Sequence, residues 1–259
     1  MLPIDTAALA LFMLVLVRVT ALVFFSPIFG PSRAISRVKA GTAFLLAVVL
    51  TPALLAGPRP PVGVAPLLVL AAREAALGLL LAMVVTLFLA VARGAGELVS
   101  LEMGLGISAT ADPSGVGNSP AVSVAFETVA LLVLFAVDGH HLVLRALKLG
   151  FDAYPPGALS VPEGALEFVH KLFLTVCRSS VTLAAPILLV LFTVTVGTAL
   201  VMRAVPQVHV LDFGFPARVL LAVALVALFI PLFGPALVRL FERIISGVAA
   251  LMAPAAGGG

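Results

Sequence analysis

The chain has 259 residues, 62% of them hydrophobic and 10% charged, with a net charge of +3. An average soluble domain carries about 25% charged residues, so this composition leaves no room for a soluble catalytic domain. Charges this few and this dispersed also exclude a nucleic-acid binder, and the single cysteine, Cys177, excludes an internal disulfide framework.

The first apolar segment, about Ala7–Phe29, is interrupted by Arg18 and stops at Pro27-Ile-Phe-Gly30-Pro31. It is not expected to be a cleaved secretory signal. No Lys or Arg precedes it, Asp5 does, and Arg18 falls where the apolar core of a signal should end. A basic connection with Arg33, Arg37 and Lys39 leads into Ala40–Gly57, 18 residues without charge, closed by Gly57-Pro-Arg-Pro-Pro61, whose prolines bar a helix. The third segment, about Pro66–Arg93, holds Arg73 and Glu74 ahead of the uncharged run Ala75–Ala92. Gly94–Pro120 has a different texture, with six glycines, two prolines and the acids Glu97, Glu102 and Asp112. The fourth segment, about Ala121–Val137, carries Glu127 and ends at Asp138-Gly139-His140-His141. A short helix over Leu142–Leu149, a turn at Tyr154-Pro-Pro-Gly157 and a more polar stretch to Lys171 follow. The last two segments are Ser179–Met202, 24 residues without charge, and Val219–Val238, 20 residues, joined by Ala204–Ala217. About 20 apolar residues cross a ~30 Å hydrocarbon layer as a helix. The fold class is therefore all-α, a polytopic helical membrane-type protein.

Three features fit poorly with helices bathed in lipid. Arg18, Arg73, Glu74 and Glu127 lie inside apolar segments, and each would cost ~2.5–3.5 kcal/mol or more facing lipid at the bilayer centre. They are expected to face protein or water, with partners on other helices or other chains. The basic residues of alternate connections divide evenly, so the positive-inside rule sets no orientation. The aromatic belt is missing too, with no Trp and only Tyr154. Helices packed chiefly against protein explain all three, as does a multipass protein with a polar interior.

Among the constellations, Gly94–Asn118 is the most unusual. Irregular backbone at membrane depth persists only where protein buries it or it lines a water-filled cavity. One reading is a mobile constriction with Met103, Leu105 and Ile107 as its apolar face; the other is an ordinary exposed connection. Asp138-Gly139-His140-His141 reads as an aspartate cap opening the next helix rather than a metal site, because adjacent histidines diverge by about 100° on a helix and no second pair follows. Arg73 and Glu74 are expected not to pair with each other for the same reason, which leaves an anchor or a proton relay open for them, while Arg18 is expected to anchor on helix-end carbonyls. No metalloprotease, nucleophile-elbow, P-loop or paired-cysteine motif is present. A non-enzyme without metal or cofactor is expected, with a secondary transporter the main rival, although no internal repeat is evident.

These residues, taken in order, resemble the FliR family of flagellar biosynthetic proteins. Arg18 precedes Pro27-Ile-Phe-Gly30, and Arg37-Val-Lys39-Ala-Gly41 follows. Ala95-Gly96-Glu97-Leu98, Met103-Gly104-Leu105-Gly106 and Asp112-Pro113 are similar to the family's central signature. Asp138-Gly139-His140, Ala185-Pro186, Gly197, Arg203, Pro206-Gln207 and Gly214-Phe215-Pro216 complete the order. The resemblance implies a non-enzymatic subunit of the type III protein export gate in the bacterial inner membrane, at the flagellar basal body, assembled with FliP-like and FliQ-like subunits and passing unfolded proteins. It implies a FliP-like part over 1–171 and a FliQ-like helical hairpin over 172–259. It also implies a plug loop at about 103–119, with Met103, Gly104, Leu105, Gly106, Ile107, Asp112, Pro113, Gly115 and Gly117. Arg203, Pro206, Gln207, Gly214, Phe215 and Pro216 would form an assembly motif, and Arg18, Arg73, Glu74, Glu97 and Glu127 structural buried charges. Glu102 departs from the family's usual Gln, Ile35 from a common Pro and His209 from a frequent Asn, and Asp212 interrupts an apolar stretch. Gly214-Phe215-Pro216 favours the flagellar branch over the related injectisome subunit.

Overall fold

Apolar runs of this length fold as helices because only a helix pairs all of its backbone groups within one segment. The computed structural model describes residues 6–29, 36–58, 60–61, 63–104, 120–159, 162–204 and 210–252. Among them are seven α-helices and no strand: α1 (Thr6–Phe25), α2 (Ser36–Leu54), α3 (Val64–Glu102), α4 (Ala121–Ala136), α5 (Gly139–Ala153), α6 (Ala165–Ala204) and α7 (Val210–Met252). A single 3-10 turn, Pro27–Phe29, follows α1. Helices α1, α2, α3, α6 and α7 are each long and apolar enough to cross a membrane, and α4 with α5 makes a sixth span if taken as one broken span. Hydroxyls on these helices stay satisfied without water. Thr51, Thr86, Ser100, Thr128, Ser180 and Thr193 each donate to the carbonyl four residues earlier.

Three helices outrun their expected bounds. Gly94–Glu102, set apart by its glycines in the sequence, continues α3 without a break. A Cβ on Gly96 would come within 2.5 Å of the Ser123 Cα on α4, so a larger residue is excluded by close packing, and this offsets the low helix propensity of glycine. Helix α6 begins at Ala165, well before the apolar run, and α7 takes in Gly214-Phe215-Pro216, expected in a connection. Pro216 lies in the second turn of α7, so one backbone hydrogen bond is missing there.

The helices fall into two compact units. The first draws on α1, α2, α3 as far as Leu87, α5, α6 as far as Leu172 and α7 from Glu242. Its core is built on Leu14, Val15, Val19 and Leu22 of α1 with Leu70, Leu77 and Leu81 of α3, and Leu147 and Phe151 of α5. Phe12 and Phe44 meet edge-on at 5.8 Å and tie α1 to α2. A Cβ on Gly78 would collide with the Arg18 carbonyl oxygen, so glycine sets the separation of α3 from α1. The second unit draws on α3 from Phe88, α4, α6 from Phe173 and α7 as far as Phe241. Two aromatic pairs hold it: Phe88 with Phe241 at 5.1 Å and Phe126 with Phe233 at 4.9 Å.

Candidate functional site

Two polar sites stand out in this apolar molecule, one in each unit. In the first unit, Arg18 on α1 and Glu74 on α3 are buried to 1% and 0% exposure. Arg18 Nε donates to Glu74 Oε2 at 2.5 Å, and Arg73 Nη1 donates to Glu74 Oε1 at 2.7 Å. Arg73 and Glu74 therefore do pair, against expectation. Their Cα–Cβ bonds diverge, but the four-bond arm of arginine is long enough to curl back to its neighbour. Glu74 also finds its cross-helix partner within this chain.

The two guanidiniums have a second task. Helix α5 ends at Tyr154, and Pro155 and Pro156 carry no N–H to satisfy its last carbonyls. Arg18 Nη2 donates to the Tyr154 carbonyl at 2.8 Å and Arg73 Nη1 to the Pro155 carbonyl at 3.3 Å. The anchorage of Arg18 on a helix-end carbonyl is thus present. The Arg18 guanidinium also lies 4.2 Å from the centre of the Phe151 ring. Two cations against one carboxylate leave a net charge of +1, and it sits at the C-terminal end of α5, where the helix dipole favours a cation. Closed to solvent, the cluster has the geometry of an anchor for the turn after α5 rather than of a proton path.

The second site surrounds the C-terminal end of α3. Glu102, the last residue of the helix, accepts through Oε1 at 3.2 Å from the Thr195 hydroxyl of α6, whose proton it shares with the Leu191 carbonyl at 2.9 Å. Its backbone carbonyl accepts from Arg218 Nη1 of α7 at 3.4 Å. Met103 is buried, and Gly104 turns the chain at φ +80, a left-handed conformation that glycine adopts without strain. The rest of the expected plug, Leu105, Gly106, Ile107, Asp112, Pro113, Gly115 and Gly117, lies outside the described residues, as do Pro206 and Gln207. Of the remaining assembly motif, Arg203 is exposed in the last turn of α6, Gly214 and Pro216 lie on α7, and Phe215 is helical. Thr195 and Arg218 carried no signal in the sequence. A threonine in an apolar helix and an arginine at the edge of one are common, and only the fold brings them to Glu102.

Glu97 and Glu127, grouped by sequence with the buried charges, have side chains 48% and 35% exposed within this chain. Both face Arg93, at 3.1 and 3.9 Å. Asp138 occupies the position before α5, but its side chain makes no capping bond. It takes φ +54, and its backbone carbonyl accepts from the His141 and Leu142 amides instead.

Comparison with known proteins accounts for this arrangement at the level of family. The sequence model of the bacterial export proteins, family 1, matches residues 9–244. The chain belongs to this family. Its relatives include the flagellar biosynthetic protein FliR of Escherichia coli (strain K12), 28% identical over 88% of this chain and 87% of that one. FliR of Caulobacter vibrioides is 30% identical over 83% of this chain and 86% of its own. The Yop proteins translocation protein T of Yersinia pestis is 26% identical over 73% of each chain. Membership in an export family is consistent with long apolar helices and with a site that holds a chain segment in place. Both polar clusters described above fall inside the matched residues.

Proposed function

We propose that this chain is a non-enzymatic subunit of the flagellar type III protein export gate in the bacterial inner membrane. In this reading it assembles with FliP-like and FliQ-like subunits around a channel for unfolded proteins, and needs no cofactor. Residues 1–171 form its FliP-like part and 172–259 its FliQ-like hairpin, a division by likeness that is separate from the packing units.

One observation carries the reading. Exposed large apolar residues run along α6 from Leu166 to Val201, about 53 Å of helix at 1.5 Å per residue. A hydrocarbon layer of about 30 Å, or about 39 Å along a helix tilted by about 40°, cannot cover that length. In this reading the remainder meets protein. A large assembly of apolar helices reaching beyond the bilayer supplies that cover; a monomeric transporter does not.

Within the gate, the stretch 103–119 is the plug, rooted at Met103 and Gly104 and moored through Glu102 to Thr195 and Arg218. The test is removal of the gene and complementation, with motility and the amount of flagellar protein in the medium as readouts. Loss of both, restored by the gene in trans, is expected, and unchanged export without the gene overturns the reading. The likeness to the Yop translocation protein favours a second reading, the equivalent subunit of an injectisome. In that case motility survives the deletion and secretion of a non-flagellar protein is lost.

A further inference from the structure

The turn that opens α5 brings together three metal-ligating side chains that the gate reading does not use. The Asp138 carboxylate, His140 and His141 each offer one donor atom, all within 4.8 Å of one another. His141 Nδ1 lies 3.3 Å from Asp138 Oδ1, and the two imidazole rings sit 4.1 Å apart, tilted by 37°. Neighbouring histidines on a regular helix point well apart. Here the two side chains rotate toward each other, and the left-handed backbone of Asp138 at φ +54 places its carboxylate beside the first turn of α5. The same backbone frees the carboxylate: Asp138 makes no capping bond with its side chain.

We propose that Asp138, His140 and His141 form a surface site for a divalent transition-metal ion of the zinc type. Two imidazoles and one carboxylate suit Zn²⁺, Co²⁺ or Ni²⁺ and disfavour Mg²⁺ and Ca²⁺, which take oxygen ligands. Ligands about 2.0–2.2 Å from zinc lie roughly 3.2–3.5 Å from each other. The donors therefore need to close by about 1 Å from their widest separation, and the exposure of Asp138 and His141 leaves them room to rotate. Three protein ligands leave a fourth position for water or a group on another molecule. The positive end of the α5 dipole opposes a cation and lowers the affinity a few-fold, and the aspartate charge offsets it. Bound metal would clamp the left-handed turn before α5, tying residue 138 to residues two and three positions later. The site is independent of the export reading, since it rests on these three side chains alone.

The experiment uses the full chain with its co-purifying membrane subunits, isolated through a tag free of histidine and stripped of metal by a chelator. Co²⁺ is titrated while the visible absorption is followed, and Zn²⁺ is then used to displace it. We expect one additional equivalent per copy of this chain with a micromolar dissociation constant. His141→Gln and Asp138→Asn should each weaken it by about tenfold or more, since metal sites are this sensitive even to loss of outer-shell partners. Asparagine tolerates the left-handed turn, so Asp138→Asn tests the ligand without breaking the backbone. His170→Gln, on α6, should change nothing. Equal Co²⁺ binding by the wild type and by the His140→Gln/His141→Gln double variant overturns the proposal, as does wild-type binding no tighter than millimolar.

Discussion

Glu74 is the one carboxylate between two guanidiniums, so removing it differs in kind from removing either arginine. Without Arg18, the Arg73–Glu74 pair remains neutral, and the main loss is the donor to the Tyr154 carbonyl. Without Glu74, two cations stay buried side by side. Breaking a buried pair by removing one partner costs about 3–5 kcal/mol, and the second cation adds repulsion to that. Glu74→Leu should therefore reduce the recovered membrane complex more than Arg18→Leu, and both more than Phe151→Leu, which removes a ring face and leaves part of the core unfilled. Quantitative blotting of membranes at equal expression checks the order. Recovery of Glu74→Leu above Arg18→Leu would show that the cluster is not held by its carboxylate. Gly78→Ala belongs at this scale too. Its Cβ would meet the Arg18 backbone oxygen, which cannot swing aside as a side chain can, so a single methyl should lower recovery by separating α1 from α3.

At the scale of elements, the end of α3 is moored by two hydrogen bonds that differ in what they require. Arg218 binds the Glu102 backbone carbonyl, so no substitution at Glu102 breaks that tie, whereas Thr195 binds the side chain. Glutamine keeps an acceptor for Thr195. Glu102→Gln should therefore leave ion leakage through assembled complexes near wild type, while Arg218→Ala should raise it. A net hydrogen bond of about 1 kcal/mol corresponds to roughly a fivefold change in the open fraction. Deleting Ser108–Gly117, within the proposed plug, should leak far more with complex abundance unchanged. Conductance or sensitivity to a normally excluded solute checks all three, and equal leakage at equal abundance would make the stretch a connector. The apolar helices were legible in the sequence because uncharged runs of 18–24 residues permit little else. The extent of α3 was not, because glycines signal a break unless the close approach of Ser123 to Gly96 is known. Arg18 was legible as an anchor because a charge among apolar residues must find acceptors. Its acceptors, at Tyr154 and Glu74, lie far along the chain and had no local signal. The part exposure of Glu97 and Glu127 within this chain was not legible, because an acid in an apolar segment shows nothing of which face it occupies.

For the whole molecule, the question is why a chain that pairs Arg18, Arg73 and Glu74 internally should need partners. Arg18 and Arg73 pair with Glu74 and donate to the end of α5, so the charges of this cluster are balanced within the chain even though Arg18 Nη1 makes no hydrogen bond among the described residues. The need comes from apolar surface. Only 17% and 11% of the most apolar windows of α6 and α7 are buried within the chain, against 56% in α3. On α6 the uncovered side chains extend from Leu166 through Leu189 and Phe192 to Val201. Burial is worth about 25 cal/mol per Å² of apolar surface, so a few residues such as Leu166 or Leu200 left in water would cost several kcal/mol, comparable with the stability of a whole domain. Detergent covers a belt about as thick as a bilayer and leaves the rest of α6 wet. Expressed alone and extracted in mild detergent, the chain should aggregate, and co-expression with the proposed FliP-like and FliQ-like subunits should yield a monodisperse complex. Replacing Leu166 and Leu200 by Gln should partly rescue the isolated chain if they lie beyond the belt, and should weaken its capture of partners. Size-exclusion profiles of the chain alone, of the co-expressed set and of the glutamine variants distinguish these cases. A monodisperse wild-type monomer that unfolds cooperatively would mean that α6 is covered by lipid and detergent alone and that the chain needs no assembly.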